Sequence, residues 1–374
     1  MSYDSFVCDR LPPPELLPEF RFDLPELQYP DRLNAAAELL KGGDPDALAF
    51  VNDHGRWTYA DLDAFSGRIA RLLVEGEGLI PGNRVLLRGP NGYTIFAAWL
   101  GVLKAGGVVV ATMPLLRPGE IATVIERAQI SHAMVDSRFI GDFRQAVDQT
   151  HSVKHIVKYD GDYGHGELET RTAKLDPLPA LDTHRDDPAL IAFTSGTTGV
   201  PKGCVHLHRD ILAPCDTFAA AHFKMGPGDV AMTSAPIAFT FGLGATLMFP
   251  LRFGAACATI EQPSPPAMLE AIANSGVTHL ATAPTAYKAM LATDGAADQH
   301  KAGRVERSRD TPVLSLVEGS LDFARDERKR VRLDWRSKPS ATACPPASIS
   351  PRQPGRPGKT APASPSPTAL ARPR

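Results

Sequence analysis

The stretch 189–203 reads ALIAFTSGTTGVPKG, and the rest of the chain is read outward from it. Residues 189–193 are apolar and have the character of a buried strand. At Thr194 the composition turns to hydroxyls and glycines, with Ser195, Gly196, Thr197, Thr198 and Gly199, followed by Lys202 and Gly203. Gly196 and Gly199 let the backbone enter left-handed conformations and approach a ligand closely. Successive N–H groups can then converge on an anion. Ser195, Thr197 and Thr198 add neutral hydroxyl donors, and Lys202 adds a compact point charge that suits a phosphate. The pattern predicts a polyphosphate-binding loop running from Thr194 to Lys202.

Other glycine-rich loops are excluded by spacing. A Walker loop needs a glycine directly before its lysine and Ser or Thr after it; here Pro201 precedes Lys202 and Gly203 follows. A nucleophile elbow centred on Ser195 needs glycines where Phe193 and Thr197 stand. The dinucleotide pattern Gly-x-Gly-x-x-Gly is absent. A Ser/Thr/Gly surface linker is the remaining alternative, and a lysine in fixed frame after a buried-strand pattern argues against it.

Around this stretch apolar strand-like runs alternate with amphipathic segments from about residue 30 to 293. A helix is expected at 34–41, stopping at Gly42-Gly43, and another from Thr58, a candidate N-cap, to about 74. The following rhythm predicts strands at 85–87, 108–112, 132–135 and 155–157, with helices at 93–104, 119–129 and 140–147. A polar stretch, 160–188, separates a second block. That block holds strands at 189–194, 230–233, 255–260 and 278–281, and helices at about 207–223, 244–251, 266–274 and 285–291. Such alternation implies an α/β fold of two packed subdomains, about 33–159 and 188–300, with mainly parallel sheets flanked by helices.

The two ends differ from this body. Residues 1–32 form a proline-rich leader, expected to be extended and docked on the body through its interleaved aromatic and leucine residues. Residues 301–374 are dominated at their end by Pro, Ser, Ala, Gly and Arg and are expected to be a disordered, low-complexity tail. The formal net charge of −2 argues against a dedicated nucleic-acid binder. The Arg-rich stretch at 325–336 has mixed charge and a single aromatic residue, Trp335, which is a weak pattern for nucleic-acid contact. No apolar run reaches the ~20 residues of a membrane span, since 95–110 is interrupted by Lys104, Gly106 and Gly107. No secretory signal is seen, and the five cysteines lack paired spacing. A reduced, cytoplasmic compartment is the simplest expectation.

With its signature loop TSGTTGVPKG, the chain resembles the superfamily of acyl-CoA synthetases, peptide-synthetase adenylation domains and luciferases. The leader LPPPELLPEFRFDLPELQYPDRLNAAAELL and the string CVHLHRDIL are similar to the 2-aminobenzoate and benzoate type of aryl-CoA ligase. SAPIAFTFGLG, carrying Phe239, Thr240, Phe241 and Gly242, looks like the aromatic motif that lines the acid pocket, and THLATAPTAY resembles the following strand and turn. The resemblance implies an ATP-dependent acid–CoA ligase: an acyl-adenylate forms with release of pyrophosphate, and the CoA thiol then displaces AMP. It implies ATP phosphates on Thr194, Ser195, Gly196, Thr197, Thr198, Gly199 and Lys202, with Lys202 catalytic and Mg²⁺ bridging the phosphates. No metal-ligating set is predicted. The partners implied are a small carboxylic acid, ATP and coenzyme A, with neither nucleic acid nor membrane.

Departures from the family pattern bear on activity. After residue 291 the family's Tyr-Gly-x-Thr-Glu and Thr-Gly-Asp motifs and its late catalytic lysine are absent, and the chain reads RSRDTPVLSLVEGSLDFARDERKR instead. This looks like a broken reading frame, and the expectation is weak nucleotide binding with no measurable CoA ligation. The rival readings are a non-catalytic nucleotide- or acid-binding remnant, and the same chemistry on a fatty acid or amino acid. His206 and His208, at i and i+2, do not share a helix face, which argues against a joint metal site; the resemblance implies that they are structural or stand behind the residues that touch ligand. Cys204 is expected to be a packing residue.

Overall fold

A computed structural model describes residues 3–194 and 201–293. The expected tail at 301–374 lies outside them. Helix α1 (Ala35–Leu40) begins at Asn34, whose side chain accepts a hydrogen bond from Ala36 N (3.2 Å). Strands β1 (Leu48–Asn52) and β2 (Gly55–Thr58) form a hairpin that leads into α2 (Tyr59–Arg71). Thr58 caps α2 as expected: its hydroxyl accepts from Asp61 N (3.1 Å), and the Asp61 carboxylate accepts from Thr58 N (2.8 Å).

The chain then alternates as its sequence predicts. It runs through β3 (Arg84–Arg88), α3 (Tyr93–Lys104), β4 (Val108–Thr112), α4 (Pro118–Ala128), β5 (His132–Asp136), α5 (Ile140–Val147) and β6 (His155–Tyr159). The stretch expected to be a polar separator folds as well, with helix α6 (Glu167–Thr172) burying Leu168 and Thr172. Strands β7 (Pro188–Thr194) and β8 (Lys202–Leu207) follow, then α7 (His208–Pro214) and α8 (Ala220–His222). The last elements are β9 (Val230–Thr233), α9 (Thr240–Leu243), α10 (Phe249–Arg252), β10 (Ala256–Ala258), α11 (Pro265–Ser275), β11 (His279–Ala281) and α12 (Pro284–Leu291).

The strands form a six-stranded sheet, β6-β5-β3-β4-β7-β8, and a five-stranded sheet, β11-β9-β10-β1-β2. Both are parallel apart from one antiparallel edge strand each, β8 and β2. The expected division into 33–159 and 188–300 does not coincide with the sheets. Strand β7 pairs with β4 of the earlier block, and β1 pairs with β10 of the later one. The strand–helix rhythm is a local property, whereas the sheet edge a strand joins is set by tertiary pairing. Three strands escaped the sequence reading: β1, whose short run at 48–52 was not assigned, and the two edge strands β2 and β8, the latter in residues assigned to the loop before a helix. The edge strands are short, with half-exposed, mixed composition, so neither carries a strong apolar alternation.

Side-chain parity sorts the core into layers. Val85 and Leu87 of β3 face a central cluster shared by both sheets, while Leu86 faces an outer cluster with α4 and α5. Cys257 of β10 likewise faces the centre, and Ala256 and Ala258 face α11 and α12. Helix α3 lies in the central layer, and all 12 of its residues are buried, Trp99 among the largest. This explains the near-continuous apolar run at 95–110: a helix covered on every side needs no polar face. Among the described residues no helix is long and apolar enough to cross a membrane. The leader docks through buried Leu27 and through Tyr29, whose hydroxyl donates to Asp216 (2.8 Å), while Leu16, Phe20 and Leu24 stay exposed.

Candidate functional site

Strand β7 grades from the core to solvent. Pro188 to Ile191 are buried, Ala192 and Phe193 half-buried, and Thr194 exposed. Strand β8 returns antiparallel with Lys202 in register opposite Thr194, so the two ends of the predicted phosphate loop face each other across a hairpin. The Lys202 side chain is exposed. Ser195, Gly196, Thr197, Thr198 and Gly199 lie outside the described residues. The hairpin opens at the carboxyl end of β7, the same end as the carboxyl ends of its parallel neighbours β4 and β3. Open α/β sheets hold their ligands at that end.

The second predicted segment leaves the carboxyl end of β9. Ser234 Oγ lies 2.5 Å from Thr282 Oγ1, just past β11, and Ala235 N donates to Thr233 Oγ1 (3.2 Å). Asn91, after β3, donates from Nδ2 to Ala235 O (2.9 Å) and accepts from Ile237 N at Oδ1 (3.0 Å). The chain then turns through Phe239 into α9. Phe239 and Phe241 are 49% and 54% exposed, and Thr240 is exposed with them. Gly242 is buried against the turn: a Cβ there would overlap the Pro236 carbonyl oxygen and stand 2.6 Å from that of Ala235. A pair of half-exposed phenylalanines is a more informative feature than a buried one, because water contact leaves their apolar surface available to a ligand.

The β7–β8 pair, at Leu190 and His206, meets helix α9 at one apolar cavity of about 170 Å³, which no described residue of the predicted loop lines. Leu190 of β7, His206 of β8, Asp210 and Ile211 of α7, and Thr240 and Leu243 of α9 line it. Of the predicted pocket residues only Thr240 is in its wall; Phe239 and Phe241 flank it in the chain, and Gly242 supports the turn from beneath. His206 and Asp210 belong to this wall and were not assigned to it from sequence. Their spacing from the loop is the one signal that could have pointed there. A larger cleft of about 320 Å³, lined by Glu126, Gln129, His151 and Ser152, lies toward the opposite, amino ends of β5 and β6. It lacks apolar walls and shares no residue with the predicted segments.

Electrostatics separates the two histidines. His208 is buried, and burial pushes its pKa down to about 3, so the ring is neutral. Its Nδ1 accepts a hydrogen bond from Ala35 N (3.1 Å), which ties α7 to the start of α1. His208 is thus structural, as its sequence context implied. Burial raises the Asp210 carboxyl above the ordinary carboxylate range, opposed by a hydrogen bond from Leu207 N (2.9 Å). Cys204 corrects an expectation: it is exposed on the edge strand, where its side chain has little to pack against, whereas Cys215 and Cys257 are the buried thiols. Among the described residues no group of three or more His, Cys, Asp or Glu is arranged to hold a metal ion.

A family model described as AMP-binding enzyme matches residues 41–333. The benzoate–CoA ligase of Thauera aromatica is 30% identical over 274 residues, covering 72% of this chain and 52% of that protein. A crystal structure of an anthranilate CoA ligase in complex with anthranoyl-AMP superposes with a TM-score of 0.68 at 23% identity, covering 74% of this chain and 54% of that one. A benzoate CoA ligase from Burkholderia xenovorans LB400 gives a TM-score of 0.64 at 26% identity, covering 71% and 53% respectively. The chain spans about half the length of the curated relatives it matches.

Proposed function

From the premise that this chain belongs to the AMP-binding enzyme family, we propose that it carries the acid- and phosphate-binding half of an ATP-dependent aryl-acid–CoA ligase. The observation that carries this reading is the apolar cavity walled jointly by the β7–β8 hairpin and the segment after Phe239. Its volume of about 170 Å³ is close to the ~150 Å³ that accepts a benzene ring and is small for a long acyl chain. In this reading the ring of a benzoate or 2-aminobenzoate enters between α7 and α9, beside Phe239, Thr240, Phe241 and Gly242. Its carboxylate points toward the hairpin. Thr194, Ser195, Gly196, Thr197, Thr198, Gly199 and Lys202 receive the ATP phosphates.

In the complete ligase of which this chain would be half, the chemistry follows from position and charge. A carboxylate oxygen attacks the α-phosphorus of ATP, the bond to the bridging oxygen breaks, and pyrophosphate leaves with the electron pair. The CoA sulfur next attacks the acyl carbon, and AMP departs. Lys202, an exposed ammonium opposite Thr194, neutralises charge that moves onto the departing phosphates, as preorganised cations do in such displacements. Mg²⁺ belongs to the ATP substrate in this reading. The described residues supply no ligand cluster of their own for it.

Calorimetric titration tests the proposal. Benzoate or 2-aminobenzoate is expected to bind and a long-chain fatty acid is not; the reverse order would sink the aryl-acid assignment. Lys202→Ala is expected to weaken ATP binding by roughly ten- to a hundredfold, the worth of a charge-assisted contact of about 1.5–3 kcal/mol. Equal ATP affinity in the variant would remove Lys202 from the phosphate site.

A further inference from the structure

We propose that Asn91 is a positioning residue for the acid site, holding the turn that sets where Phe239 and Phe241 stand beside the cavity. This rests on the aryl-acid reading above. Asn91 is buried, and its amide meets complementary groups on the same turn: Nδ2 donates to Ala235 O (2.9 Å), and Oδ1 accepts from Ile237 N (3.0 Å). A carbonyl on one side and an N–H on the other leave one orientation of the amide that satisfies both. From there the turn is propagated by backbone bonds, Phe239 N to Pro236 O (3.0 Å) and Leu243 N to Phe239 O (2.9 Å).

The anchor itself is rigidly supported. Asn91 sits two residues before α3, whose first N–H groups donate to the buried Asp162 carboxylate, Tyr93 N at 2.7 Å and Thr94 N at 2.8 Å. A carboxylate at that end also meets the positive pole of the helix. Asn52 of β1 donates to the same carboxylate (2.7 Å). A Cβ on Gly92 would stand 2.6 Å from Asp162 Oδ2, so glycine at the intervening position lets the carboxylate approach the start of α3. Asn91 follows a strand of the six-stranded sheet, and the turn follows a strand of the five-stranded sheet. One side chain therefore registers the carboxyl end of one sheet against that of the other, on the turn that leads into the cavity-lining Thr240.

Limited chymotrypsin digestion of the full chain, with calorimetric titration of benzoate and of ATP, tests this in wild type, Asn91→Ala and Asn91→Asp. Loss of both bonds in Asn91→Ala is expected to speed cleavage after Phe239 and Phe241 roughly tenfold. Cleavage after Phe218, which is 52% exposed and belongs to another segment, should stay unchanged. Benzoate affinity should fall about tenfold while ATP affinity holds within about twofold. Asn91→Asp keeps the acceptor for Ile237 N and loses the donor, so it should be intermediate. Cleavage after Phe239 and Phe241 that is unchanged, or that rises only in step with Phe218, overturns the assignment. If wild type binds no benzoate the aryl-acid reading falls, and the cleavage ratio alone then decides whether Asn91 holds the turn.

Discussion

Gly242→Ala is expected to lower the unfolding free energy by about 3 kcal/mol, the upper part of the range for overpacking a closed site. The added methyl would collide with the backbone carbonyl oxygens of Pro236 and Ala235. A flexible side chain could swing away, but these oxygens belong to the turn that Asn91 holds, so relief requires moving the turn. Aryl-acid binding should be lost together with stability, because Phe239 and Phe241 move with the turn. Gly119→Ala is the matched control. Gly119 is an exposed residue of α4 where a Cβ meets nothing within 4 Å, and alanine there should stabilise by up to about 1 kcal/mol. Urea unfolding of the two variants reads the contrast directly. If both change stability in the same direction and by similar amounts, close packing beneath the turn is not what demands glycine at 242.

A second large effect is expected from acid. His208 is held neutral, with a pKa near 3, by burial, whereas in the unfolded chain it takes up a proton near the ordinary 6.5. Between these values the unfolded state binds more protons than the folded one, so stability falls as pH falls. The contribution is complete above pH 6.5 and declines below it. At about 1.4 kcal/mol per pH unit it amounts to roughly 4 kcal/mol by pH 3. Carboxyls that burial raises, such as those of Asp187 and Asp210, act in the opposite sense, so the comparison must be with His208→Asn. Asparagine offers an acceptor near the position of Nδ1 for Ala35 N and has no proton to gain. Its stability should start lower at pH 7.5, because the smaller side chain leaves a gap, and should decline less steeply toward pH 4. Parallel curves for the two proteins would exclude His208 as the titrating group.

Much of the fold was legible in the residues themselves. The Thr58 cap, the stop after α1 and the strand leading into the loop occupy the places their local chemistry predicts. The apolar run at 95–110 was legible as the end of a helix and the start of a strand but not as a layer between two sheets, since periodicity does not reveal what covers a segment. The candidate site was read from the sequence as separate pieces. Thr194 and Lys202 were read as the two ends of one anion loop, and they stand opposite each other in register. Phe239, Thr240 and Phe241 were read as pocket-lining; all three are exposed, and of them Thr240 alone is in the cavity wall. The side chains that hold those pieces were not legible. Asn91, Asp162 and Thr282 are ordinary polar residues in loops, and nothing adjacent to them marks their partners.

The amino-acid sequence by itself determined the type and order of most elements. It also supplied the expectation of an anion-binding loop at 194–203, because glycine placement, hydroxyls and one lysine in fixed frame are local chemistry. Tertiary structure alone decided that β7 crosses to the sheet of the earlier strands, that β1 crosses to the later ones, and that a cavity forms where hairpin and α9 meet. These outcomes depend on contacts such as Asn91 with Ala235, 144 residues apart. Such contacts are selected by how buried faces and unpaired backbone groups are satisfied together across the whole chain, and no repeat or spacing along the sequence records that choice.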